Sequence, residues 1–305
     1  MHAHLYREVF WKGNAPTHVQ VGPSDISLET YRKEMQWILP GREIHGLHFP
    51  FPPWRVPFDV AASNAWVSQE IKKDSMARGQ FLVRPTDEPD WVCQEVRRLG
   101  LRGLKPFSGL ANVEQCSHAE IPEYLPEQLV SVANKESWTI TLHLMRPRSV
   151  ADPSNIYWIR TYCKKYLHMN LILDHSARGF NPYHTMIGLQ KLSDLDNLWV
   201  DTSANCSPLA TIAALRYLGP DRVMYGSDFY CSHIRGINFA VNDYFMWLDE
   251  DFFVSNNDTK TGQVCPTLIG LENLRAVKAA FWALGLKDKE IEKYFWQNAA
   301  CLLDL

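Results

Sequence analysis

No run in the 305-residue chain approaches the roughly 20 consecutive apolar residues that a membrane-spanning helix needs, so a helical membrane protein is not expected. No basic segment followed by an apolar one and a small-residue cleavage site opens it either, which makes the cytoplasm the expected compartment. Cysteine is sparse and dispersed. The seven (Cys93, Cys116, Cys163, Cys206, Cys231, Cys265 and Cys301) form no CxxC and are odd in number. They read as buried or half-buried free thiols rather than a disulfide framework or a thiolate metal site. Basic clusters are missing as well: 31 Lys and Arg are scattered among 34 Asp and Glu, for a formal net charge of −3. That argues against nucleic acid or an anionic membrane as the main partner and leaves a small molecule. No GxGxxG follows a strand, and neither internal repeats nor low-complexity segments occur. What is present is 46% hydrophobic and 21% charged residues, enough to bury a sizeable core in one domain spanning 1–305.

Periodicity supplies the elements. Residues 5–24 read as loop, punctuated by Asn14, Pro16, Gly22 and Pro23. Helical spacing over 27–38 follows Ser27 as N-cap, and Pro40-Gly41 ends it. A short strand at 44–49 and a helix at 59–77 come next. The rhythm then becomes regular: strands at 79–85, 101–107, 138–145, 170–176, 197–203 and 221–228 alternate with helices at 88–100, 120–135, 153–166, 184–194 and 207–218. A long loop passes through Asn256-Asn257 and Gly262, and helices near 269–284, 287–294 and 296–303 close the chain. Strands alternating with helices imply parallel βαβ units, and the continuous apolar runs LIL and VMY suit strands covered on both faces. With the first residues counted as a strand there are eight, so the expected fold is α/β, a (β/α)8 TIM barrel. An open doubly wound sheet is the competing geometry.

In a barrel, chemistry sits at the C-terminal strand ends. His2 and His4 are one residue apart, so on a strand both point to the same side. His143 follows TITL, His175 follows LILD, and Asp228 follows VMYGS. Singly, each has a plainer reading as a hydrogen-bonded core histidine or a turn aspartate. Their conjunction at strand ends is more specific.

The pattern HAHL, LHLM, LDHSARGFN, NLWVDTSA and MYGSD, with YFWQNAACLLDL at the end, resembles the amidohydrolase superfamily. The likeness is to its branch of metal-dependent hydrolases, lactonases, hydratases and decarboxylases, and it covers nearly the whole chain. It implies that His2, His4, His143 and Asp228 are metal ligands, that His175 contacts substrate or moves a proton, and that Asp228 serves as ligand and base at once. Such a donor set suits one divalent ion, Zn²⁺ first and Mn²⁺ or Fe²⁺ next, which activates a water. Relatives often form dimers, so a homodimer is an expectation.

Arg84, Arg146 and Arg178 stand at or just after strand ends, and with Lys105 they are candidates for holding an acidic substrate. Pairing with local carboxylates such as Asp174 or Asp201 is the plainer alternative. Lys105 also stands where some binuclear relatives carry a lysine that bridges two metals. Asp201, Ser203 and Asn205 are candidates for supporting hydrogen bonds. Three readings remain open: hydrolysis of a lactone, ester or amide in a small polar or carboxylated substrate, non-oxidative decarboxylation or hydration on the same scaffold, and a protein-binding or scaffolding barrel that no longer holds metal, against which the intact histidines and aspartate argue. One feature does not fit. Only Met1 precedes His2, so the first strand is expected to be truncated or to begin upstream.

Overall fold

The computed structural model describes residues 2–13, 15, 22–51, 57–249 and 266–305. Its strands are β1 (Ala3–Arg7), β2 (Asp25–Ile26), β3 (Leu47–Pro50), β4 (Arg78–Gly79), β5 (Phe81–Val83), β6 (Gly103–Pro106), β7 (Thr139–Leu142), β8 (Asn170–Leu173), β9 (Leu198–Asp201), β10 (Val223–Met224), β11 (Gly236–Val241) and β12 (Tyr244–Asp249). One sheet runs β2-β1-β3-β4 and another β10-β9-β8-β7-β6-β5, and every pair is parallel apart from β1 with β2.

Two junctions carry these sheets around the expected (β/α)8 barrel. β4 and β5 are one extended stretch interrupted at Gln80, whose N–H donates to the His48 carbonyl at 2.9 Å. On the far side a parallel bridge pairs Ala3 with Phe229, beside His4 N–H to Phe229 O at 3.0 Å. Inward-facing Phe49, Ile172 and Met224 pack with Leu47 and with Leu303 of the last helix (Asn298–Leu303), so the leucine-rich terminus joins the barrel core. Burying each such side chain contributes roughly 1.5–3 kcal/mol.

The helices form where local chemistry favours them. Ser27 Oγ accepts from Thr30 N–H at 3.0 Å and Asp152 Oδ1 from Ser154 N–H at 2.9 Å, each satisfying an otherwise orphaned amide. Gly100, with φ of 69°, ends the helix Pro89–Leu99.

Several expectations need correction. The loop expected from residue 5 begins later, because β1 continues to Arg7 and a 3₁₀ turn occupies Glu8–Phe10. The strand therefore extends beyond the histidines instead of preceding them. The helix expected at 120–135 is two, Ile121–Tyr124 and Glu127–Lys135, since Pro126 has no amide hydrogen to continue the first. Cys301 is exposed rather than buried, while Cys265 lies outside the described residues. The long C-terminal loop contains the β11–β12 hairpin, turning at Asn242-Asp243 with Asn242 at φ 51°. The Asn256-Asn257 and Gly262 part of that loop lies outside the described residues.

Candidate metal centre

His2 and His4, at the start of β1, both line one buried cavity of about 80 Å³. Their rings are 5.2 Å apart, and each meets the Phe49 ring edge-on at 4.9 Å. Asp228 arrives from the loop after β10. Its N–H donates to His2 O at 2.8 Å, and Ser227 Oγ donates to the same carbonyl at 3.0 Å. Strand pairing across the barrel closure thus fixes the carboxylate beside the imidazoles.

The surrounding acceptors assign the ring protons. His4 Nδ1 is 3.1 Å from the Pro50 carbonyl, which only accepts, so Nδ1 carries the hydrogen and Nε2 the lone pair. That Nε2 is 3.2 Å from Asp228 Oδ1. His2 Nδ1 donates to Asp201 Oδ2 at 2.9 Å and lies 3.1 Å from Asp174 Oδ1, and its Nε2 faces the same Asp228 Oδ1 at 3.3 Å. Two imidazole nitrogens converging on one carboxylate oxygen require positive charge among them. A proton on His2 or a divalent cation meets that requirement.

Ionisation agrees. Burial pushes His4 down to about 4, making it a neutral donor. Burial acts on His2 in the same sense, but Asp174 and Asp201 outweigh it and hold His2 well above the ordinary histidine range. The proton His2 holds is one that a metal would displace. Burial opposes ionisation of Asp228, yet His175, His2 and His4 keep its carboxyl well below the usual range. Two nitrogens and one carboxylate, with carboxylates behind the His2 ring, are donors that fit zinc, manganese or iron. His2, His175 and Asp201 also bring ligand atoms within 4.8 Å of one another. There, however, Asp201 Oδ1 already accepts from the His175 and Ser203 amides at 3.1 and 2.9 Å, so His2, His4 and Asp228 are the better cradle.

His175 occupies a turn after β8 in which His175, Ser176, Ala177 and Arg178 all have φ between 54° and 61°. Such left-handed conformations cost about 1–2 kcal/mol per non-glycine residue. The turn is tied down by Asn205 Nδ2 to His175 O at 3.2 Å and Thr185 Oγ1 to Ser176 O at 2.9 Å. His175 Nδ1 donates to Ser203 O at 3.0 Å, leaving Nε2 as the acceptor. Asp201, Ser203 and Asn205 are thus all hydrogen-bonded to His2 or His175.

His143 lines the same cavity, its ring 5.2 Å from that of His175, but it falls outside both groups of clustered ligand atoms. Burial, with His175 and Arg178 nearby, holds it well below the ordinary histidine range, so it too is neutral.

The cationic candidates separate. Lys105 lines the cavity, 1% exposed, with Nζ bonded to Asp174 and lying 4.5 Å from the centre of the Phe49 ring. Arg84 pairs with Asp87 at 2.7 Å, and Arg146 lies 2.9 Å from Asp152 while donating to His118 O at 2.9 Å. Neither lines the cavity, nor does Arg178; Arg84 and Arg146 pair with local carboxylates as the plainer alternative has it, Asp87 and Asp152 rather than Asp174 or Asp201. Arg178 instead donates to the carbonyls of Met145 and Arg146 and lies 5.2 Å over the Phe245 ring. Among the described residues it has no carboxylate partner. Burial lowers it to about 10, and it stays charged at neutral pH.

Sequence reasoning did not place Asp174 or Cys231 in the site, yet both line the cavity. Asp174 was visible as the residue beside His175; Cys231, three residues after Asp228, carried no signal. A wider surface depression of about 450 Å³, bordered by Leu28, Glu29, Arg32, Lys33 and Lys73, holds none of these groups.

A barrel with a buried His–Asp cluster at its strand ends is the architecture of amidohydrolase-type enzymes. The chain belongs to the amidohydrolase family, whose sequence pattern matches residues 1–305. No curated protein matches it by sequence. Among solved structures it is similar to an amidohydrolase from Burkholderia multivorans with bound zinc, at 12% identity over 100% of this chain and 98% of that one, with a TM-score of 0.63. It is also similar to a 2-pyrone-4,6-dicarboxylic acid hydrolase, described as putative, from Pseudomonas putida (18% identity, 99% and 96% covered, TM-score 0.58). A third is a 2,6-dihydroxybenzoate decarboxylase from Rhizobium (15% identity, 99% and 96% covered, TM-score 0.60). At these identities the likeness concerns the fold.

Proposed function

We propose that the chain is a metal-dependent hydrolase that opens a lactone, ester or amide in a small carboxylated substrate. The observation that carries this reading is the convergence of His2 Nε2 and His4 Nε2 on Asp228 Oδ1, 3.3 and 3.2 Å away. His2, His4 and Asp228 would hold the ion, with His143 completing the set on the cavity wall. Zinc is the favoured ion, since the zinc-bound relative shares the fold, and manganese or iron suits the same donors. Bound there, the ion would supply Lewis acidity and bring a water's pKa down toward about 7.

The chain's own groups supply the rest. His175, with Nδ1–H committed to Ser203 O, offers Nε2 to take and return a proton. Asp228 Oδ2 lies 3.9 Å from His175 Nδ1, which places the carboxylate beside this ring. Arg178, charged and without a carboxylate partner among the described residues, lies behind the cavity lining, where its charge would favour a substrate carboxylate only from a distance. Lys105, which lines the cavity, is the cation within reach of a substrate carboxylate, its ammonium shared with Asp174. Phe51 and Phe107 give the cavity apolar walls that suit a planar substrate.

Those apolar walls also favour a second reading, non-oxidative decarboxylation of a carboxylated aromatic, the chemistry named for the Rhizobium relative. One experiment tests both. Metal-free protein is dialysed against zinc or manganese and the bound ion counted. The loaded protein is then offered lactones and carboxylated aromatics, with product mass as readout. Gain of one water supports hydrolysis, and loss of carbon dioxide supports the alternative. A chain that takes up neither ion loses both readings.

A further inference from the structure

We infer that the β11–β12 hairpin is a positioning clamp for His175, acting through Phe180, Phe245 and Trp247. This rests on reading His175 as the proton-transfer group. The Phe180 ring stacks on the His175 imidazole at 5.4 Å and 29°, and it is 4% exposed. Its other neighbours come from the hairpin: Phe245 at 5.0 Å and Trp247 at 4.9 Å. Phe245 is also the ring beneath the Arg178 guanidinium. The first and last residues of the left-handed turn thus both depend on side chains of β12.

The hairpin is itself anchored to the elements that flank the turn. Asn181 Nδ2 donates to the carbonyls of Asn242 and Tyr244 at 2.9 and 3.0 Å, and His184 Nε2 is 2.8 Å from Asp243 Oδ1. At the opposite end Asn238 Nδ2 donates to Ala204 O at 2.6 Å, one residue beyond the Ser203 that holds His175 Nδ1. A two-stranded hairpin has little stability alone. Fixed at its tip and at its base, it presents Phe245 and Trp247 as a rigid backing. The strained turn relaxes when that backing is removed, because its own sequence has no glycine from 175 to 178 to favour positive φ.

Hydrogen exchange of the metal-free full chain, read by mass spectrometry on peptides covering 174–181, tests this. Phe245→Ala should speed exchange in that segment roughly tenfold, the factor expected for losing an aromatic pair and a cation–π contact. Exchange in β7 and β9 should stay as in the unsubstituted protein. Phe245→Tyr keeps the ring and should restore slow exchange, whereas Phe245→Leu keeps only apolar volume and should not. Unchanged exchange in Phe245→Ala, or full rescue by leucine, overturns the clamp. If Phe245→Ala does not fold, Trp247→Ala, on the same face of β12 but 39% exposed, carries the same test. Zinc uptake and turnover of the unsubstituted chain are scored separately. Faster exchange without turnover would remove the functional reading alone, and zinc-dependent turnover with unchanged exchange would remove the clamp alone.

Discussion

His2 and Asp201, 199 positions apart in the chain, meet through Nδ1 and Oδ2 at 2.9 Å with both side chains buried. The contact spans the seam where β9 and β10 come back to β1. It does two things at once. It holds a hydrogen on His2 Nδ1, and it turns the ring so that Nε2 faces Asp228.

Asp201→Asn should therefore weaken metal binding while the barrel persists. The amide has no negative charge to hold the His2 N–H, so zinc affinity should fall about 10- to 100-fold. Competition with a chromogenic chelator measures it, with circular dichroism as the check on folding. An affinity equal to the parent's would show that Asp174, 3.1 Å from the same nitrogen, suffices.

His143 and His175 should divide by phenotype. His143→Ala removes a neutral nitrogen from the cavity wall and should lower metal occupancy. His175→Asn should leave the ion largely bound while cutting turnover by roughly 10²- to 10⁴-fold, the usual worth of a positioned acid–base group. Elemental analysis alongside the rate assay separates the two. Equal metal loss in both variants would overturn this division of roles.

That His2, His4, His143, His175 and Asp228 share one cavity was legible because an HxH pair and residues at strand ends are brought together by period-two geometry and barrel topology. Asp174 was legible only as an acidic residue near a strand end, and Asp201 also as a candidate for supporting hydrogen bonds. What each touches depends on barrel closure: sequence offered arginines as their partners, and folding supplied Lys105 to one and His2 to both. Arg84 and Arg146 went the other way, finding Asp87 and Asp152 close in sequence. The hairpin left a usable signal, Asn242-Asp243 between two apolar, aromatic-bearing runs, which a search for two-residue turns would have found.

Breaking the Lys105–Asp174 pair should be costly for stability. Both side chains are almost wholly inaccessible to water, so Lys105→Met strands a charge that burial disfavours and that Lys105 and His2 help keep ionised. Losing one partner of such a pair costs about 3–5 kcal/mol. Urea denaturation of the metal-free protein reads the loss. Lys105→Met combined with Asp174→Asn should recover part of it, since no uncompensated charge remains. A single substitution costing under about 1 kcal/mol would mean that His2 alone balances Asp174.

Gly226, two residues before Asp228, is held to hydrogen by space. A Cβ there would lie 2.8 Å from Ser203 Cβ and 3.1 Å from both Asp201 Oδ1 and His2 Cβ. All three neighbours belong to the network that orients His2, so relief of the clash has to pass through the site. Gly226→Ala should destabilise the protein by about 1–3 kcal/mol, the usual cost of overpacking, and lower zinc affinity in the same variant. Adding Ser203→Gly opens the tightest contact and should return part of the stability. It should not return the affinity, because the hydroxyl 2.9 Å from His175 Nδ1 and 3.3 Å from His2 Nδ1 goes with it. Thermal melts and chelator competition on the two variants measure these quantities independently. A Gly226→Ala protein with parental stability and affinity would show that the end of β10 has room to move without disturbing His2.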